Sequence, residues 1–116
     1  MSAKKNWQDL ELGVILPPAT SVGYKTGGWR VFRPVWDPSQ CIHCMICVNY
    51  CPDMAIPIEK SEEGAVGKGG CVYKGTVRKE TNFDYCKGCG ICATEWPSKC
   101  LTMIREEEAE QASCKL

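Results

Sequence analysis

Apolar positions along this chain come in short bursts, and none keeps a helical period for long. Two bursts share a design: Ile56-Pro57-Ile58 and Leu101-Thr102-Met103-Ile104 each follow a proline corner and predict a short strand. Between them, residues 59–70 are polar and glycine-rich. They lead into Cys71-Val72-Tyr73-Lys74-Gly75-Thr76-Val77, and the whole stretch predicts a hairpin or loop with a weak strand. After Ile104 the chain turns acidic, so residues 105–116 predict a frayed helix or a disordered polar tail. The first forty residues differ in kind. Gly13-Val14-Ile15-Leu16 and the stretch from Trp29 to Trp36 are apolar without a helical period, and Gly27-Gly28 marks a turn. Residues 1–39 read as an extended arm, and the whole as an α+β chain.

The picture changes with the ten cysteines among 116 residues, a density that implies a covalent or metal staple. Seven fall into two copies of one pattern. The first is Cys41-x2-Cys44-x2-Cys47-x3-Cys51-Pro52, and the second is Cys86-x2-Cys89-x2-Cys92-x3-Trp96-Pro97. Cys86 follows Cys41 by 45 residues, and the correspondence runs past the cysteines: Ile46 with Ile91, Ala55 with Cys100, Ile56 with Leu101. Each copy reads as a cysteine loop, a short helical turn, a proline corner and a strand. A pseudo-twofold domain over residues 40–104 is expected, with residues 59–80 as an inserted loop. The spacing is that of the cubane iron–sulfur run of bacterial ferredoxins.

Other chemistries fit less well. The N-terminus has no apolar signal region, so an exported, disulfide-bonded protein is not expected. Zinc sites use two cysteine pairs, not two evenly spaced triplets. No apolar run approaches membrane-spanning length, and 14 basic residues balance 14 acidic ones. A soluble cytoplasmic protein is expected, with no membrane and no nucleic-acid partner. One histidine, no phosphate-binding glycine loop and no Ser/His/Asp set leave no candidate catalytic residue.

A cubane takes one thiolate per iron, and the fourth cysteine of each run ligates the other cluster. The cluster on Cys86, Cys89 and Cys92 then takes Cys51 and is complete. The cluster on Cys41, Cys44 and Cys47 meets Trp96, whose indole has no lone pair for iron. Three outcomes stay open. Substitution by Cys100, four residues on and opposite Ala55, is favoured. A [3Fe-4S] cluster on three cysteines comes second, and ligation by Cys71, His43 or a non-protein group third. Cys114 reads as a free thiol. Gly88 and Gly90 let the backbone approach a cluster and aim N–H groups at sulfur. His43 and Met45 replace them in the first motif, so the two sites are not expected to be isopotential.

Residues 40–104 resemble a two-cluster ferredoxin domain. The stretch Gly28-Trp29-Arg30-Val31-Phe32-Arg33-Pro34-Val35, the run from Phe83 to Cys92 and the closing Leu101 to Glu106 resemble the delta subunit of 2-oxoacid:ferredoxin oxidoreductases. That resemblance implies alpha, beta and gamma partner subunits, thiamine diphosphate and coenzyme A chemistry on those chains, and clusters here that relay electrons to an external ferredoxin. The family pattern has cysteine at position 96. The rival expectation is a free, diffusible ferredoxin, which the zero net charge and the arm oppose. Ordering the arm costs roughly 60 kcal/mol at about 1.5 kcal/mol per residue. Offsetting that needs on the order of 2,400 Å² of apolar burial. The arm is therefore expected to dock on a partner subunit rather than pack across its own small domain.

Overall fold

A computed structural model describes residues 4–113; Cys114 lies outside them. Seven elements follow in order: β1 (Phe32–Trp36), α1 (Ile46–Tyr50), β2 (Ile58–Val66), β3 (Val72–Arg78), α2 (Ile91–Thr94), β4 (Leu101–Arg105) and α3 (Glu106–Ser113). β1 pairs antiparallel with β4, from Phe32 opposite Arg105 to Trp36 opposite Leu101, and β2 pairs antiparallel with β3. The chain is a small mixed helix–strand protein. Among the described residues no helix is long and apolar enough to cross a membrane.

Two details depart from expectation. The strand expected at residues 56–58 starts only at Ile58 and runs on through the polar stretch to Val66, while Ala55 and Ile56 are buried in the core. Most of β2 is exposed on both faces, so no alternation of apolar residues marked it; its ladder is made by the backbone. Gly64, at φ +86°, sits in the irregular stretch between Ser61 and Ala65, where its N–H donates to Ser61 Oγ. Residues 32–36, expected within the arm, form a sheet with β4. Of the two states expected for the acidic tail, residues 106–113 take the helical one, with Ala109 buried in it.

Residues 4–29 contain only short 3-10 turns. They touch the rest of the fold at their C-terminal end: Gly27 N–H donates to Asp84 O at 2.7 Å, and Tyr85 Oη donates to Val22 O at 2.8 Å. A Cβ at Gly27 would lie 1.8 Å from Phe83 O, so only glycine permits that approach. Farther out, Trp7 is 80% and Leu12 94% exposed. The radius of gyration, 18.3 Å, and a longest extent of 61 Å reflect this projection; a compact chain of 100 residues has a radius near about 13 Å.

The core is small. Cys41, Cys47, Ile56, Trp96, Cys100 and Leu101 form its buried cluster, with Trp36, Cys44, Cys51 and Cys92 packed against it. Cysteines are half of the residues at the centre, with Val48 and Ala93 also packed against it.

Candidate metal centre

Both cysteine loops have the same backbone design. Two residues after the first cysteine the chain enters the left-handed region, at His43 (φ 49°) and Gly88 (φ 69°), and it does so again at Met45 (φ 63°) and Gly90 (φ 80°). Met45 and Gly90 are the N-caps of α1 and α2. This turn folds the backbone back over sulfur: His43 N–H donates to Cys41 Sγ at 3.4 Å, and Gly88 N–H to the Cys86 thiol. Left-handed conformation costs a side-chain-bearing residue about 1–2 kcal/mol. The first loop carries that cost twice, and the second avoids it with glycine. Gly88 is further constrained, since a Cβ there would lie 2.0 Å from Phe32 O on β1.

The cysteines gather in two groups. Cys51, at the end of α1, joins Cys86, Cys89 and Cys92 around one small hollow that Pro34 and Ile56 also line. Cys89 is exposed, bringing that group to the surface. The other group is internal. Cys41 and Cys47 are wholly buried, Cys44 is half-buried, and Cys100 is buried with its thiol hydrogen-bonded to that of Cys41. The groups adjoin, for Cys47 and Cys92 are close enough to repel as thiolates. Among the described residues, no three His, Cys, Asp or Glu converge as a single-ion site.

Burial dominates the thiol chemistry. It pushes Cys47 up to about 12 and Cys100 up to about 11, and it raises Cys86 and Cys92. A thiolate in such surroundings needs a cationic partner, and iron is that partner in a cubane. The gathered thiols, with N–H groups directed at Cys41, Cys86 and, from Ala55 at 3.3 Å, Cys51, are a donor set that suits iron–sulfur ligation.

The remaining sequence candidates fall elsewhere. Trp96 is buried beside Cys41 and Cys100, where it fills core space and donates its indole N–H to Ser98 Oγ. Cys71 is exposed at the turn between β2 and β3. His43 is buried, and its Nδ1 accepts the backbone N–H of Arg78 at 3.1 Å. Burial, then the charge of Arg78, holds the imidazole below its ordinary value, so it is neutral with its proton on Nε2.

Arginines were missed. Arg30 makes a bidentate pair with Glu106 (Nε to Oε2 2.8 Å, Nη2 to Oε1 2.7 Å) and donates through Nη1 to Gly27 O, Phe83 O and Cys86 O. Arg33 reaches the same carboxylate at 2.7 Å and lies over the Phe83 ring. This network ties the second cysteine loop to the arm and to α3. Arg30 and Glu106 are 76 residues apart, too far for any local pattern to reveal. Arg78, wholly buried at the end of β3, follows Arg33 by the same 45 residues that separate the motifs, which is the signal that could have found it.

Comparison with known proteins points to the same class of cofactor. Residues 33–56 match the model of a 4Fe-4S binding domain. Pyruvate synthase subunit PorD of Thermotoga maritima is 41% identical over 105 residues, covering 90% of this chain and 91% of that one. The PorD subunit of Methanocaldococcus jannaschii is 37% identical over 95 residues, 82% and 93% of the two chains. Ketoisovalerate oxidoreductase subunit VorD of Pyrococcus furiosus is 42% identical over 89 residues, 77% and 70%. The chain therefore belongs to the PorD/VorD delta subunits of the 2-oxoacid:ferredoxin oxidoreductases, in which it is an iron–sulfur electron-transfer subunit.

Proposed function

We propose that the chain holds two [4Fe-4S] clusters, one on Cys41, Cys44, Cys47 and Cys100 and one on Cys86, Cys89, Cys92 and Cys51. It relays electrons from the thiamine diphosphate-bearing subunits of a cytoplasmic oxidoreductase to an external ferredoxin. When bound, such clusters supply one-electron redox chemistry at potentials that the surrounding protein tunes. The observation that carries this reading is Cys100. It stands where the first repeat has Ala55, and its thiol is buried against Cys41 in the core that Cys47 and Cys44 share.

A pseudo-twofold organisation supports the pairing of ligands across the repeat. The left-handed positions 43, 45 and 54 recur at 88, 90 and 99. Asp37 N–H donates to Cys100 O, and 45 residues on, Asn82 N–H donates to Ala55 O. The protein's own part in the relay is to exclude water from Cys41 and Cys47, direct N–H groups at sulfur, and leave Cys89 near the surface as the point of electron entry or exit.

The arm is the second part of the reading. Trp7, Leu10, Leu12, Ile15 and Leu16 are exposed apolar residues that the chain's own domain leaves uncovered. They suit a docking strap on the alpha, beta or gamma subunit. Size-exclusion of the natively purified protein tests this: the chain is expected to co-elute with larger subunits. A lone monomer would sink the subunit assignment of the arm and favour a diffusible ferredoxin.

A further inference from the structure

Arg78 ends β3 with its side chain wholly enclosed. One guanidinium nitrogen, Nη2, donates to Thr81 Oγ1 at 2.8 Å; Nε and Nη1 are buried without a partner. Its plane lies over the Trp36 ring, 4.6 Å from the centroid. Among the described residues no carboxylate pairs with it. A buried cation with two idle donors is costly unless something anionic and hydrogen-bond-accepting sits beside it.

The neighbours say what that is. Arg78 is close enough to act on the thiols of Cys47 and Cys100 in the first group and of Cys92 in the second. Its backbone N–H holds His43, whose Nε2 is also buried and unpartnered, as is Trp36 Nε1. Trp36 and His43 meet edge-on at 6.3 Å. Four idle N–H donors thus crowd the side of the core that holds Cys41, Cys47 and Cys100. The cations near the second group are neutralised: Arg30 by Glu106, and Lys87 by Asp53 at 3.3 Å.

We propose that Arg78 is the buried counter-cation of the first cluster, donating through Nε and Nη1 to its sulfur atoms, with His43 Nε2 adding a further donor, and that this sets the first cluster's potential above the second's. The inference rests on the two-cluster reading. Reduction adds negative charge, so a fixed cation and N–H donors favour the reduced form. The first electron into the chain then resides on the Cys41, Cys44, Cys47 and Cys100 site.

The test is an EPR-monitored redox titration of the full chain, with iron and sulfide quantified in the same samples. In Arg78→Met the first cluster's reduction equilibrium is expected to fall at least tenfold, about 59 mV, with a smaller change at the second. Arg78→Lys, which keeps the charge, is expected to retain most of the wild-type value. A first-cluster potential unchanged in Arg78→Met, or lowered equally in Arg78→Lys, overturns the inference and leaves the two-cluster reading intact. Wild-type protein that binds fewer than two clusters overturns both. Where Arg78→Met fails to load, wild-type chain carrying ¹⁵N-arginine decides by pulsed EPR. A ¹⁵N coupling in the reduced first-cluster signal supports the assignment, and its absence rejects it.

Discussion

The two loop glycines offer a matched pair of substitutions whose outcomes should diverge. Gly88 and Gly90 both have positive φ, 69° and 80°, so alanine at either carries a conformational cost of about 1–2 kcal/mol. The first loop survives that cost with His43 and Met45 at the corresponding places, so left-handed backbone alone does not prevent a loop of this kind. Space separates the two. A Cβ at Gly90 meets nothing within 4 Å, whereas one at Gly88 lies 2.0 Å from Phe32 O and 3.0 Å from its carbonyl carbon. Both are backbone atoms of β1, which is held to β4 by its ladder and cannot swing aside as a side chain would. Relief requires a shift of more than an ångström in either β1 or the Cys86–Cys89 loop, adding about 1–3 kcal/mol or more of overpacking. Gly90→Ala is therefore expected to bind both clusters at wild-type iron and sulfide content. Gly88→Ala is expected to lose or weaken the cluster proposed on Cys86, Cys89, Cys92 and Cys51, seen as a halved iron content and an altered EPR signal. Equal iron content and identical spectra for Gly88→Ala and wild type would refute the steric argument.

Further outcomes follow from the same structure. Cys100→Ala should change the EPR signal of the first cluster and spare the second, and an unchanged spectrum removes Cys100 from the ligand set. Glu106 is held below its ordinary value of 4.5 first by the hydrogen bond from Arg30, then by the charges of Arg30 and Arg33. A carboxyl depressed in this way contributes stability above its unfolded value and loses it as pH falls through the folded one. The urea-resistance gap between wild type and Glu106→Gln should thus be open at neutral pH and close below about pH 4.5; a gap independent of pH contradicts the network's role. Chelating the iron should unfold the cysteine domain, because Ile56, Trp96 and Leu101 are the non-cysteine members of its buried cluster. Native-like circular dichroism in the metal-free chain would count against that.

The site was more legible in the sequence than the fold around it. Cysteine spacing is a local signal, and the 45-residue offset sets Cys100 opposite Ala55 in the sequence itself. Strand β2 was hidden because its residues face solvent on both sides, so no period of two survives in the sequence. β1 was hidden because its partner β4 lies some seventy residues away and Pro34 interrupts its apolar run. Charge told least. A net charge of zero gave no hint that Arg78 is buried with no carboxylate partner among the described residues, while Arg30 and Arg33 converge on one glutamate. Such pairings depend on which elements the sheet brings together, and side-chain identity alone does not encode that.

The measurement that bears most directly on the whole account is iron and acid-labile sulfide per chain in anaerobically purified protein, read alongside EPR of the oxidised and reduced forms. Two complete cubanes predict about eight iron and eight sulfide, a silent oxidised state and two interacting reduced signals. About seven iron with a signal already present in the oxidised protein would mean that Cys100 leaves the first cluster at three irons, contradicting the proposed ligand set.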